Sequence, residues 1–162
     1  MSRAFVKEAD GTEVYDDLPD RPIGPEPNFV TAQGLVRIEA EIERLRAAMA
    51  GAQAGGDRAA IAEASRDLRY WTTRRATAEL VPPVTATEAV RFGLRVTLER
   101  GNGRRQSFRI VGQDEADPSH GTLSYLAPLA RALSGKRVGD MVTLGADEAE
   151  IVTIETVPQA GA

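Results

Sequence analysis

The apolar positions divide the chain before anything else does. From Leu35 onward, Leu35, Ile38, Ile42, Leu45 and Met49 recur at spacings of 3, 4, 3 and 4, the seam of a helix that packs along one partner. Glu39, Glu41, Glu43, Arg44 and Arg46 fall on the solvated flanks, Thr31 suits an N-cap, and GAQAGG at 51–56 breaks the pattern. A second run, DRAAIAEASRDLRYWTTRRATAEL over 57–80, places Ile61, Ala64, Leu68, Trp71 and later Ala78 on one face before Pro82 and Pro83 stop it. Two such runs joined by a Gly-rich turn predict an antiparallel helical hairpin, a coiled coil of about 30 Å at about 1.5 Å per residue. Each helix satisfies the other's seam, so the hairpin can stand out as an arm. It can equally lie as two layers on the following domain, and Tyr70, Trp71 and Leu80 suit either arrangement.

The period then shifts from helical to two. RVTLE (95–99) and SFRIV (107–111) alternate around a GNG turn at 101–103, and TLSYL (122–126), MVTL (141–144) and EAEIVTIETV (148–157) add three strands. APLARALSGK (127–136) reads as one helix between them, with Pro128 in its first turn and Gly135 at its C-terminal cap. The fold class is α+β: an N-terminal helical hairpin followed by a small, mostly antiparallel sheet with one short helix.

Residues 1–30 have neither period. They hold four of the nine prolines, three of the 20 basic residues and seven of the 24 acidic ones, so the whole net charge of −4 resides there and the rest of the chain is balanced. The expectation is an acidic, Pro-containing leader, extended or disordered, with PNFV at 27–30 packed at its end. A balanced body is not the footprint of a free-standing nucleic-acid binder, so no direct sequence-specific contact with nucleic acid is expected. The 162 residues, 42% hydrophobic, suffice for one modest core and exclude a large multidomain enzyme. With no cysteine and one histidine, thiol catalysis, disulfides and Cys- or His-rich zinc sites are excluded. No run reaches the ~18 apolar residues of a membrane span, and the start lacks a signal-peptide core, so a cytoplasmic monomer is expected. Four Phe, three Tyr and one Trp offer little for an aromatic-lined pocket.

Several segments carry a family resemblance together: RIVG (109–112), DEAD (114–117), the Ser124-to-Leu133 segment with its PLARAL run, GKRVGD (135–140), VRFGLRVTL (90–98) and VTAQGLVRIEAEIERLR (30–46). Through these the chain resembles the bacterial Gre transcript cleavage factors, GreA and GreB, over most of residues 30–157. The resemblance implies a coiled-coil hairpin at 31–82 and an FKBP-like antiparallel β-sheet domain at 83–158, followed by a tail at 159–162; the acidic leader at 1–30 is not part of the family's usual pattern. It further implies docking at the rim of the RNA polymerase secondary channel, with the hairpin inside the channel. There, two carboxylates at the tip of a Gre hairpin help hold a second Mg²⁺, and the polymerase hydrolyses the 3′ end of a backtracked transcript. Such a factor is not an enzyme by itself and has no cofactor of its own. The rim contact maps to Ala127, Pro128, Leu129, Ala130 and Arg131, with Ala127 where the family carries serine.

The tip departs from the family pattern. It reads GDRAAI over 56–61: Asp57 stands at the first acid, but the second falls on Ala60 and the following amide on Ile61. Glu63 lies about 240° around the helix and ~9 Å along it from Asp57, too far to share an ion without a bend. Asp57 is therefore read chiefly as an N-cap worth ~1 kcal/mol, with a candidate tip acid, able to touch polymerase-held Mg²⁺, as the lesser alternative. Each arm is also shorter than the usual Gre spacing by roughly one heptad, or ~10 Å of reach. For Asp114, Glu115 and Asp117, in a turn ending at Pro118, the bland expectation is a solvated loop, with His120 exposed beside it.

The expected function is a Gre-family factor that binds RNA polymerase at the secondary channel and modulates elongation, with weak or absent stimulation of cleavage. The alternatives are a fully cleavage-competent factor and a regulator module of the Rnk type, whose coiled coil is also short. Prolyl isomerase activity is not expected without an aromatic pocket. For the acidic leader, autoinhibition or contact with a basic polymerase surface are the two roles its charge suggests.

Overall fold

The structure is a computed structural model that describes residues 18–158. Chain contacts divide it into two compact units, one built from residues up to Pro25 with Ala40–Arg74, the other from Glu26–Glu39 with the chain from Arg75 onward.

The first unit is the outer part of a helical hairpin. α1 runs from Ala32 to Gly55 and α2 from Arg58 to Ala76. Ile42 and Leu45 of the predicted seam are buried, as are Ala62 and Ala64 on α2. Met49, Ile61, Leu68 and Trp71 are half-buried, as befits a two-helix layer with water on every other side. At about 1.5 Å per residue, the 24 residues of α1 span ~36 Å and the 19 of α2 ~28 Å.

The segment 18–25, expected to be extended or disordered, is held against α2. Arg69 donates to the Asp20 carboxylate at 2.6 Å and to the Leu18 carbonyl at 3.2 Å. The Arg21 guanidinium stacks 3.8 Å from the Tyr70 ring centroid and reaches Asp67 at 3.7 Å. Arginine over tyrosine gains from the ring's negative face, which composition alone does not reveal. Residues 1–17 of the leader and the tail 159–162 lie outside the described residues.

The second unit holds the sheet. β1 (Asn28–Val30) pairs in parallel with β2 (Ala78–Leu80). The second helix was expected to continue to Leu80; it ends at Ala76 because the edge of β1 captures the next residues and the Asn28 side chain bonds Thr77 Oγ1. The main sheet has β3 (Arg95–Arg100), β4 (Arg105–Val111), β5 (Thr122–Ser124), β6 (Met141–Leu144) and β7 (Asp147–Glu155), in the order β5-β4-β3-β7-β6. Its pairs are antiparallel except β4–β5, which is parallel. The register of β3 against β7 shifts between Thr97 and Leu98, the mark of a bulge. α3 (Pro128–Leu133) covers one face, sending Ala130 and Leu133 into a core with Val96, Leu98, Ile110 and Ile151.

A polar pin ties the first turn of α1 into this unit. Thr31 caps the helix by accepting the Gly34 N–H at 2.9 Å, and its hydroxyl donates to Glu115 Oε2 at 2.5 Å. Glu115 is only 5% exposed, and Arg109 stands 4.0 Å from its other oxygen while donating to Gln33 and to the Gly93 carbonyl. The expected solvated acidic turn is thus corrected at Glu115, whose carboxylate is drawn inside by a buried hydroxyl and a buried guanidinium. Gly112 follows from packing as well: a Cβ there would meet the Phe29 carbonyl oxygen at 2.4 Å.

Candidate functional site

Three places carry the residues singled out by the sequence. At the hairpin tip α1 closes with a left-handed glycine, Gly56 at φ 66°. The Gly56 N–H donates to Gln53 O and the Asp57 N–H to Ala52 O, at 3.2 and 3.0 Å, the paired bonds of a Schellman closure. Asp57 then begins α2. Its Oδ1 accepts the Ala60 N–H at 3.1 Å and its carbonyl accepts the Ile61 N–H at 3.0 Å. One residue therefore finishes one helix and caps the next. Position 60, where a second acid would stand, contributes only its backbone N–H, and that bond goes to Asp57. Glu63, one turn further, is exposed. The tip thus offers one carboxylate with one oxygen already engaged, which does not fit a metal ion held by this chain alone.

The second place is the N-terminus of α3. Ala127 precedes the helix with extended backbone and no side-chain cap, and Pro128 opens it. Pro128 and Arg131 are exposed, Leu129 is half-buried against the core, and Ala130 is buried. Of the segment 127–131, then, Pro128 and Arg131 present themselves to a partner while Leu129 and Ala130 hold the helix in place.

Beside this helix opens a cleft of about 390 Å³ lined by Phe29, Phe92, Tyr125, Val90, Ile110 and Ala130, with Arg91 and Arg131 at its margin. Phe29 and Tyr125 have ring centroids 5.3 Å apart, Phe92 and Tyr125 5.8 Å, and Phe29 and Phe92 6.3 Å, within the range of favourable aromatic pairs. The Tyr125 hydroxyl donates to the Pro27 carbonyl. This corrects the expectation that no aromatic-lined pocket exists. Three rings of a small aromatic inventory, from segments 63 and 33 residues apart, converge because β1 brings Phe29 over the sheet. The sequence signal that could have found Phe29 was Gly112, whose missing side chain admits the Phe29 backbone.

The third place is the turn at 114–120. Asp117 caps the short 3₁₀ turn Pro118–His120 by accepting the Ser119 N–H at 3.0 Å. Its second oxygen lies 2.7 Å from His120 Nδ1. The Ser119 hydroxyl and then His120 hold the Asp117 carboxyl below the usual carboxylate range. His120 is 80% exposed at its side chain, so this is a surface turn. Among the described residues no group of three or more His, Cys, Asp or Glu side chains could hold a metal ion, and no helix is long and apolar enough to cross a membrane.

Comparison with known proteins gathers these features. The family model for the C-terminal region of the transcription elongation factors GreA and GreB matches residues 85–158, which contain β3 to β7, α3 and most of the cleft. Transcription elongation factor GreB of Neisseria meningitidis is 42% identical over 101 residues, a match covering 59% of this chain and 62% of that one. Transcription elongation factor GreA of Alkalilimnicola ehrlichii is 34% identical over 150 residues, covering 77% of this chain and 95% of that one. A solved GreA/GreB structure from Nitrosomonas europaea, 20% identical, covers 79% of this chain and 98% of its own with a TM-score of 0.41. With 34% identity to a GreA across 77% of this chain and 95% of that one, and the family model matching residues 85–158, this chain belongs to the GreA/GreB family of transcription elongation factors.

Proposed function

We propose that this chain binds RNA polymerase at the rim of the secondary channel through Pro128, Arg131 and the adjoining cleft, and modulates elongation with little or no stimulation of transcript cleavage. It would then act through the polymerase's active site and not as an enzyme itself. The observation that carries the reading is the tip: Asp57 is committed to capping α2, and the companion position is Ala60. In two-metal phosphoryl transfer a second Mg²⁺ needs several oxygen ligands near 2 Å, and one carboxylate cannot replace a pair. The short arms support the same conclusion, because a deficit of ~10 Å is several times a ligand distance.

Docking and catalysis are separable in this scheme. The cleft supplies apolar area and the arginine margin supplies orientation, so binding persists while the cleavage chemistry is lost. Competition with a cleavage-competent Gre factor for polymerase tests it: the intact chain should compete, and Arg131→Glu should weaken competition about tenfold, as expected when a desolvated charge contact at an interface is reversed. Failure of the intact chain to compete at any concentration overturns the docking.

A further inference from the structure

We propose that β6 is a self-pairing edge: two copies of the chain join their β6 strands antiparallel about a two-fold axis at Val142, making one continuous sheet across both. The five-stranded sheet ends at β6, with no strand beyond it among the described residues. MVTL at 141–144 carries no charge and no proline, the residue types that commonly keep a sheet edge from pairing. Thr143 is exposed, as are Met141 and, just before the strand, Val138, at 47% and 56%.

The β6–β7 hairpin decides which backbone groups face the open edge. The strands are joined by the two-residue turn at 145–146, with Leu144 opposite Asp147 and Val142 opposite Ala149. Gly145, at φ 63°, suits the first central position of a type II′ turn. Such a turn closes on a hydrogen-bonded pair, and these pairs alternate along an antiparallel ladder. Val142 and Leu144 therefore bond β7, as does Asp140, whose carbonyl accepts the Ile151 N–H at 2.9 Å. Met141 and Thr143 are left to turn their N–H and C=O groups outward.

One antiparallel register employs all of these groups. Met141 stands opposite Thr143 of the second copy and Thr143 opposite its Met141, each couple exchanging N–H···O=C bonds. A slip of two residues in either direction leaves one of the two without a strand partner. The same register is complementary in charge. It brings the corner at 136–138 of each copy to the corner at 145–148 of the other, so that Lys136 and Arg137 approach Asp147 and Glu148, and Val138 approaches Ala146. All of these residues are exposed except Lys136, which is half-buried. Asp140, the acid nearest the basic corner, already accepts the Arg137 N–H at 2.8 Å. Two-fold symmetry makes each contact twice. So short an edge buries less than the roughly 1,200 Å² of a stable complex, so the pair forms and separates with concentration.

The full ¹⁵N-labelled chain tests this directly. Its sedimenting mass should rise toward two copies with concentration, and amide exchange of Met141 and Thr143 should slow in step. Thr143→Pro removes an outward N–H that the single copy does not use. It should abolish association while Ile151 keeps the protection it has in dilute intact chain. Lys136→Glu with Arg137→Glu lies outside the strand and reads the contact independently should the proline disturb the sheet. That variant should associate about tenfold more weakly, and mixing it with a copy carrying Asp147→Asn and Glu148→Lys should restore pairing. A single-copy mass at every concentration, or association indifferent to both the proline and the charge variants, would overturn the proposal. So would protection of Met141 and Thr143 that appears only when polymerase is added, which would give the edge to a foreign strand.

Discussion

Replacing Glu115 with alanine probes the pin between α1 and the sheet most sharply. The substitution removes the acceptor of the Thr31 hydroxyl, a bond to a charged group worth about 1.5–3 kcal/mol. It also leaves Arg109, 10% exposed at its side chain, without its carboxylate. Truncating one member of a buried pair costs about 3–5 kcal/mol. Because Arg109 keeps its bonds to Gln33 and Gly93, the lower end applies, and Glu115→Ala should destabilise the sheet unit by about 3 kcal/mol. For a chain of this length that lowers Tm by about 6–12 °C. Glu115→Gln, which preserves shape and an acceptor, should cost about 1 kcal/mol. Urea unfolding with amide exchange of Ile110 and Ile151 reads the sheet unit directly. Thr31→Val in both backgrounds closes a double-mutant cycle: loss of the helix cap appears in both arms and cancels, leaving the coupling to Glu115. A loss below about 1 kcal/mol for Glu115→Ala, or no coupling in the cycle, would refute the claim that this carboxylate holds the first turn of α1.

Three further outcomes follow from single contacts. Gly112→Ala drives a Cβ into the Phe29 carbonyl and should cost about 1–3 kcal/mol while perturbing the aromatic cleft, visible as shifted ring signals of Phe92 and Tyr125. Arg21→Ala removes a stacking contact worth about 0.5–1 kcal/mol and should speed amide exchange across 18–25 several-fold, with a change in Trp71 emission; unchanged exchange would mean that the segment is held otherwise. Asp117, held low by Ser119 and then His120, should titrate below the ordinary value of about 3.9. Since the folded value is depressed, the contact contributes above the unfolded pKa and is lost as pH falls through the folded one. Ser119→Ala should move the carboxyl midpoint upward in ¹³C spectra.

How far the sequence reveals this molecule depends on the range of each interaction. The seam Ile38, Ile42 and Leu45, the alternation in β3, β4 and β6, and the Pro128 start of α3 are local patterns, and they lie where their periods place them. The Asp57 cap is local too, since Gly-Asp before a helical run supplies both closure and start. What local pattern does not hold is pairing at a distance. Ala78–Leu80 continues a helical period and becomes a strand because Asn28–Val30 is available. Glu115 sits in a turn of acids, and a hydroxyl 84 positions earlier draws it inside. The cleft needs Phe29, Phe92 and Tyr125 together, and no two of them lie within 30 positions of each other. The family resemblance supplies the α3 segment as a site but not the arginine margin that gives the cleft its charge.

The central claim is that a Gre-family hairpin with a single, helix-capping acid docks without promoting cleavage. Transcript cleavage in a backtracked polymerase complex, saturated with this chain and compared with its Ala60→Glu variant, tests it most directly. The account predicts cleavage near the intrinsic polymerase rate with the natural chain, indifferent to Asp57→Ala, and any stimulation confined to Ala60→Glu. Strong cleavage by the natural chain that is abolished by Asp57→Ala would contradict it.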